Sequence, residues 1–128
     1  MRTIKDTTDI KHLVDTFYGK VRNDDLLADV FNTVIQDNWP EHLEKMYRFW
    51  QTILLKERTY YGSPFLPHAR LPVEKKHFDR WLELFCETVN THFKGEKARE
   101  AKWRAYKMAE MFQLKIEYSR KNPIPPLL

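Results

Sequence analysis

Five histidines (His12, His42, His68, His77 and His92) and one cysteine (Cys86) are the side chains of this 128-residue sequence best suited to metal or acid–base chemistry. One cysteine allows no internal disulfide, no paired-cysteine zinc site and no CxxCH attachment, so any metal must be held by histidine and carboxylate. Asp9 with His12, and Glu74 with His77, are i, i+3 pairs that could each offer two ligands from one helical face. A carboxylate-bridged di-iron bundle wants two Glu-x-x-His motifs and two further glutamates, and the sequence has one such motif. No HExxH occurs, which removes the zincin class. His12, beside Leu13, reads as solvated; His92 reads as a cation set against a helix C-terminus. Cys86, between Phe85 and Glu87, reads as a small packing residue.

His68 stands apart. Pro67 fixes the backbone before it and Pro72 stops the turn after it, so the imidazole rides a short stiff segment between two periodic stretches. The plain alternative is a proline-rich surface loop that contains a histidine by chance. His42 lies three residues after Trp39 and four before Met46, at the border of an otherwise apolar face. Tyr18 and Trp81 place a phenolic O–H and an indole N–H on apolar stripes, where each needs a partner if buried. Taken singly, each is more often an ordinary core residue.

The elements that would position these groups follow from periodicity. Ile10, Leu13, Val14, Phe17, Tyr18 and Val21 make one helical stripe over residues 9–22, with Thr8 or Thr7 as N-cap. Leu26, Leu27, Val30, Phe31, Val34 and Ile35 mark one or two short helices capped by Asp24 or Asp25. From Pro40, a good first-turn residue, Leu43, Met46, Tyr47, Trp50, Ile53 and Leu54 run over about four turns. Between Lys56 and Pro72 the pattern breaks, because Gly62, Pro64, Pro67 and Pro72 leave room for one turn at most, over 67–71. Phe78, Trp81, Leu82, Phe85, Val89, His92 and Phe93 define a fourth helix ended by Gly95. Ala98, Ala101, Ala105, Met108, Ala109, Phe112 and Ile116 define a long fifth, whose small residues let another helix pack closely. The tail NPIPPLL cannot continue it.

The expectation is an all-α chain forming a single domain over residues 1–128, with 1–8 and 120–128 as flexible ends. Three glycines against eighteen aromatics disfavour turn-dense sandwiches and barrels. No apolar run is long enough to span a membrane and MRTIKDTTDI has no signal-like core, so a cytoplasmic protein is the default. The net charge of +4 permits contact with anions without demanding nucleic acid.

The ordered pattern is Phe17-Tyr18, Asp25-Leu26-Leu27-Ala28-Asp29-Val30-Phe31, Glu41-His42 with Phe49-Trp50, Gly62-Ser63-Pro64-Phe65-Leu66-Pro67-His68, and Trp81-Leu82-Glu83-Leu84-Phe85. It resembles a group III truncated haemoglobin from about Asp9 to Ile116. The most specific parts are Phe-Tyr on the first helix, Gly-x-Pro-x-x-x-His, and the tryptophan thirteen residues after that histidine. Groups I and II carry glycine pairs, and this sequence has no adjacent glycines.

That resemblance implies a truncated globin, a two-over-two helical sandwich with an irregular proximal segment, holding haem b non-covalently. It implies His68 as the iron ligand, Tyr18, His42 and Trp81 as distal residues with Phe17 beside Tyr18, and Phe31, Met46, Phe49 and Trp50 as pocket lining. Lys45 falls where the family often aims a cation at a propionate, with Arg70 a weaker candidate. His77 and His92 match no family ligand.

Physical chemistry agrees with this assignment. A neutral imidazole is a good axial ligand, and haem is a flat apolar disc with carboxylates at one edge. A diatomic ligand or peroxide at the iron gathers negative charge, which fixed donors stabilise in a dry pocket. Trp81 can only donate, Tyr18 can donate or accept, and His42 can do either or swing away. Binding of O₂, NO or CO by a monomer is the leading expectation. Redox work on NO, O₂ or peroxide, in the manner of an NO dioxygenase or a peroxidase and with an unidentified reductase, is the alternative. A cofactor-free nucleic-acid module rests on Lys94, Lys97, Arg99, Lys102, Arg104 and Lys107 interleaved with Trp103 and Tyr106, which read more simply as a solvated helix face.

Overall fold

Asp6, rather than Thr7 or Thr8, starts the first helix of the computed structural model, which describes residues 1–60 and 72–121. The Asp6 side chain accepts from the Asp9 N–H at 3.2 Å, while the Asp9 carboxylate accepts from the N–H groups of Lys5 at 2.9 Å and Asp6 at 3.4 Å. This reciprocal cap satisfies amide donors that a helix start otherwise leaves open. Helix α1 (Thr7–Arg22) is followed by α2 (Ala28–Ile35), a 3₁₀ turn (Gln36–Asn38), α3 (Trp39–Leu54), α4 (Lys75–His92) and α5 (Glu96–Lys121).

Two helical pairs, α1 with α3 and α4 with α5, are joined by packing of α1 on α4. This is the expected two-over-two sandwich. The stripe predicted for α1 is the buried one: Ile10, Leu13, Val14, Phe17, Tyr18 and Val21 are all in the core. Along α5, Ala98, Ala101, Ala105 and Ala109 are buried at three-four spacing, and their small side chains let α4 lie close. Tyr47 of α3 donates its hydroxyl to Asp15 of α1, which ties that pair at the surface.

Asp24 organises the turn into α2. Its buried carboxylate accepts from the N–H groups of Leu26 and Leu27, both at 3.1 Å, and from Arg80 Nε at 2.7 Å. One side chain thus fixes the entry to α2 and ties it to α4. Burial alone would raise its pKa, but the Arg80 contact and the two backbone donors outweigh burial and hold it below the ordinary carboxylate value. The folded state therefore binds this proton less readily than the unfolded chain, so the contribution is present above about pH 4 and is lost as pH falls through the folded value. Asp24→Ala should lower the unfolding free energy by about 2 to 3 kcal/mol in urea denaturation at neutral pH.

The amino-terminal residues lie against the junction of α4 and α5. The Arg2 N–H donates to the His92 carbonyl at 3.3 Å, the Lys94 N–H donates to the Arg2 carbonyl at 3.0 Å, and Ile4 is 2% exposed. At the far end of α3, residues 56–60 leave the helix as predicted, and Thr52 Oγ1 accepts from the N–H groups of Thr59 and Tyr60 at 3.2 and 3.0 Å. Lys97 of α5 donates to the Leu54 carbonyl, meeting one of the open acceptors at the α3 terminus. The irregular proximal segment and the tail beyond Lys121 lie outside the described residues, and with them Pro64, Pro67, His68 and Arg70.

Candidate functional site

A continuous set of ring contacts runs through the space between α1, α3 and α4. His42 meets Tyr18 edge to face at 5.2 Å, Tyr18 meets Phe17 at 4.9 Å and Phe31 at 6.3 Å, and Phe17 meets Trp81 at 5.4 Å. Trp81 stacks on Phe85 at 5.6 Å, Phe85 stacks on Trp50 at 5.1 Å, and Trp50 touches Phe49 at 5.3 Å. Met46 is half-buried against the same cluster. Edge and offset arrangements of this kind contribute beyond area burial and hold each ring in a defined orientation.

The predicted residues Phe17, Tyr18, Phe31, His42, Met46, Phe49, Trp50 and Trp81 are thus brought together. Lys45 is exposed on α3, and His68 and Arg70 are not among the described residues. Two ring residues went unpredicted as site members. Trp39 contacts both Tyr18 and His42, and Phe85 sits between Trp81 and Trp50. Both were visible as apolar helix positions, and only their neighbours across other helices mark them as part of the site.

The Tyr18 hydroxyl and the Trp81 indole N–H make no hydrogen bond to another described residue. Burial pushes the Tyr18 pKa well above the ordinary phenol value, so the group stays protonated and able to donate. An apolar set of rings with two such donors has the chemistry that suits a flat hydrophobic group carrying a small polar ligand.

The bacterial-like globin family model matches residues 3–115. The chain belongs to that family. It is 37% identical over 108 residues to the group 3 truncated hemoglobin of Campylobacter jejuni, covering 81% of this chain and 85% of that one. A crystal structure of group III truncated hemoglobin from Campylobacter jejuni superposes with a TM-score of 0.83 and 34% identity, covering 91% of this chain and 95% of that chain. This protein is a haem- and ligand-binding globin, and its two-over-two architecture is that of a group III truncated haemoglobin.

The remaining histidines of this globin have structural partners. His77 Nδ1 accepts from the Glu74 N–H at 2.9 Å as part of the α4 capping box, so the Glu-x-x-His pair closes a helix start. His12 is not solvated as expected: its Nε2 lies 3.4 Å from His92 Nδ1 and its ring meets that of His92 edge to face. Among the described residues no three His, Cys, Asp or Glu side chains form a metal-binding group.

His92 ends α4, but it is not the charged cap its position suggests. Burial, then His12, Lys20, Arg2 and the terminal amine, push its pKa below the ordinary value. The unfolded chain therefore takes up this proton first, and the stability His92 lends above about pH 6.5 is lost below it. Between about pH 7 and 5 the urea midpoint of the wild type should fall more steeply than that of His92→Gln.

The basic stretch of α5 is largely engaged in local contacts. Lys97 reaches Leu54, Lys102 donates to Asn90 Oδ1 at 2.7 Å, and Arg104 pairs with Glu100 at 3.7 Å. Burial raises the Cys86 thiol pKa, with a smaller opposing effect from Lys102, which suits packing rather than reactivity. Among the described residues no helix is long and apolar enough to cross a membrane.

Proposed function

We propose that this globin holds haem b through His68 and reversibly binds O₂, with NO and CO as further ligands, on the face lined by Tyr18, His42 and Trp81. The observation that carries the reading is the pair of protein donors, Tyr18 O–H and Trp81 N–H, set around Phe17 without a hydrogen-bond partner among the described residues. The cofactor would supply a ferrous iron as the point of attachment for the gas.

The chain's own residues do the rest. Phe31, Met46, Phe49 and Trp50 present apolar surface to the disc and exclude water, which strengthens every dipole inside. Lys45, exposed on α3, is available to a propionate carboxylate at the pocket mouth. Tyr18 and Trp81 donate to the partial negative charge on the held ligand, and His42 beside Tyr18 either joins them or leaves the face open. The half-buried thiol of the single cysteine suits a reducing cytoplasm.

Spectrophotometric titration of the reduced, haem-loaded protein tests the reading. Uptake of O₂ that reverses on deoxygenation, with CO displacing it, is the expected result. A protein that takes up haem and binds neither gas overturns it. The same two donors favour a second reading, because each slows release and a long-held ligand suits conversion better than carriage. Consumption of NO or peroxide over many turnovers with a reductase supplying electrons would establish that reading.

A further inference from the structure

Trp39 both touches the distal rings and lines an outside groove. The groove has a volume of about 580 Å³ and runs past Gly19 and Arg22 on α1, Asn32 on α2, Gln36 in the connecting turn, and Trp39 at the start of α3. On its inner side the Trp39 ring meets Tyr18 at 5.9 Å and His42 at 5.6 Å, both edge to face. On its outer side the Arg22 guanidinium lies 4.6 Å from the ring centre, and the indole Nε1 donates to Asn32 Oδ1 at 3.1 Å. The Trp39 side chain, 5% exposed, thus stands between groove and distal rings, and the residues that hold its outer side, Arg22 and Asn32, are exposed and polar. A contact from an exposed guanidinium and a single neutral hydrogen bond are each weak enough to break transiently. Gln36, in the left-handed region with φ 52°, bends the chain so that the end of α2 and the start of α3 flank this opening.

We propose that Trp39 is a swinging partition through which the diatomic ligand passes between the groove and the distal face, with Arg22 and Asn32 as its latch. The inference rests on the assignment of Tyr18, His42 and Trp81 to the distal face, and it makes Trp39 a positioning residue rather than a ligand-contacting one. A partition changes the barrier and leaves the two end states alone. Association and dissociation then move by the same factor, and Kd is unchanged. Loss of a hydrogen-bond donor instead weakens the bound state and raises Kd, so failure of the donor assignment and failure of the partition give different signatures.

The experiment is CO association by flash photolysis, with CO dissociation and Kd measured on the same haem-loaded samples. In the Arg22→Gln/Asn32→Leu double variant both rates should rise about tenfold, with Kd within about twofold of wild type. The Trp39 indole N–H should also exchange with solvent faster, a readout independent of ligand binding. Gly19→Leu works in the opposite sense: a Cβ at Gly19 meets nothing within 4 Å, so the added side chain occupies the groove and should slow both rates. Unchanged rates in the double variant, or a Kd that shifts along with them, overturns the proposal, and the double variant decides alone if Gly19→Leu fails to fold.

Discussion

Tyr18→Phe should speed O₂ release by about tenfold or more, and Trp81→Phe should act in the same direction. A hydrogen bond to a charged or partly charged acceptor contributes roughly 1.5 to 3 kcal/mol, and each 1.4 kcal/mol is a factor of ten. Tyr18→Phe removes one oxygen and leaves the ring contacts with Phe17, Phe31, Trp39 and His42 in place. A phenol is already protonated at neutral pH and burial moves its pKa further up, so the wild-type group is a donor over the working range. Trp81→Phe also trims the stack on Phe85, and its thermal midpoint should be measured beside its off-rate to separate packing from donation. Stopped-flow displacement of O₂ by CO gives both off-rates, and the double variant gives the coupling between the donors. Off-rates unchanged in both single variants would remove the donor model.

Phe85→Ala should cost about 3 to 5 kcal/mol of stability. Phe85 is 1% exposed and packs flat between Trp81 and Trp50, with Phe17 meeting its ring at 5.1 Å. Truncation leaves a cavity whose walls are rings on α1, α3 and α4, each already held by other contacts and poorly able to collapse into the void. In a domain of this size the loss corresponds to a fall in Tm of roughly 10 to 20 °C. Urea denaturation of the haem-free and haem-loaded forms checks it. A loss under about 1 kcal/mol in both would mean that the stack is not a support of the pocket wall.

Much of the architecture could be read from residue order because helix faces here are set by long three-four stripes. The stripe from Ile10 to Val21 and the alanine series from Ala98 to Ala109 are buried as periodicity requires. The gathering of Tyr18, His42 and Trp81 from three helices came from the ordered family pattern, since no local spacing links residues so far apart in the chain. What stayed hidden depends on three-dimensional neighbours. Asp6 displaced the threonines as N-cap because its carboxylate can exchange bonds with Asp9, three residues on. His12 and His92 are eighty positions apart, and only the assembled fold shows the burial, then the His12 ring and nearby cations, that lower the His92 pKa at what reads as a helix cap. In sequence Trp39 reads only as an apolar residue three before His42, and its place between Arg22 and Tyr18 exists only once α1, α2 and α3 are assembled.

In the proposed function, the His68 imidazole, from the segment between α3 and α4, holds haem against the ring-lined face. The measurement that meets it most directly is the absorption spectrum of purified protein beside that of His68→Ala, each recorded in the ferric, ferrous and ferrous CO-treated states. The expected result is a red wild type with the spectrum of an imidazole-ligated haem b, and loss or clear change of that ligation in the variant. Identical spectra for the two proteins would contradict it.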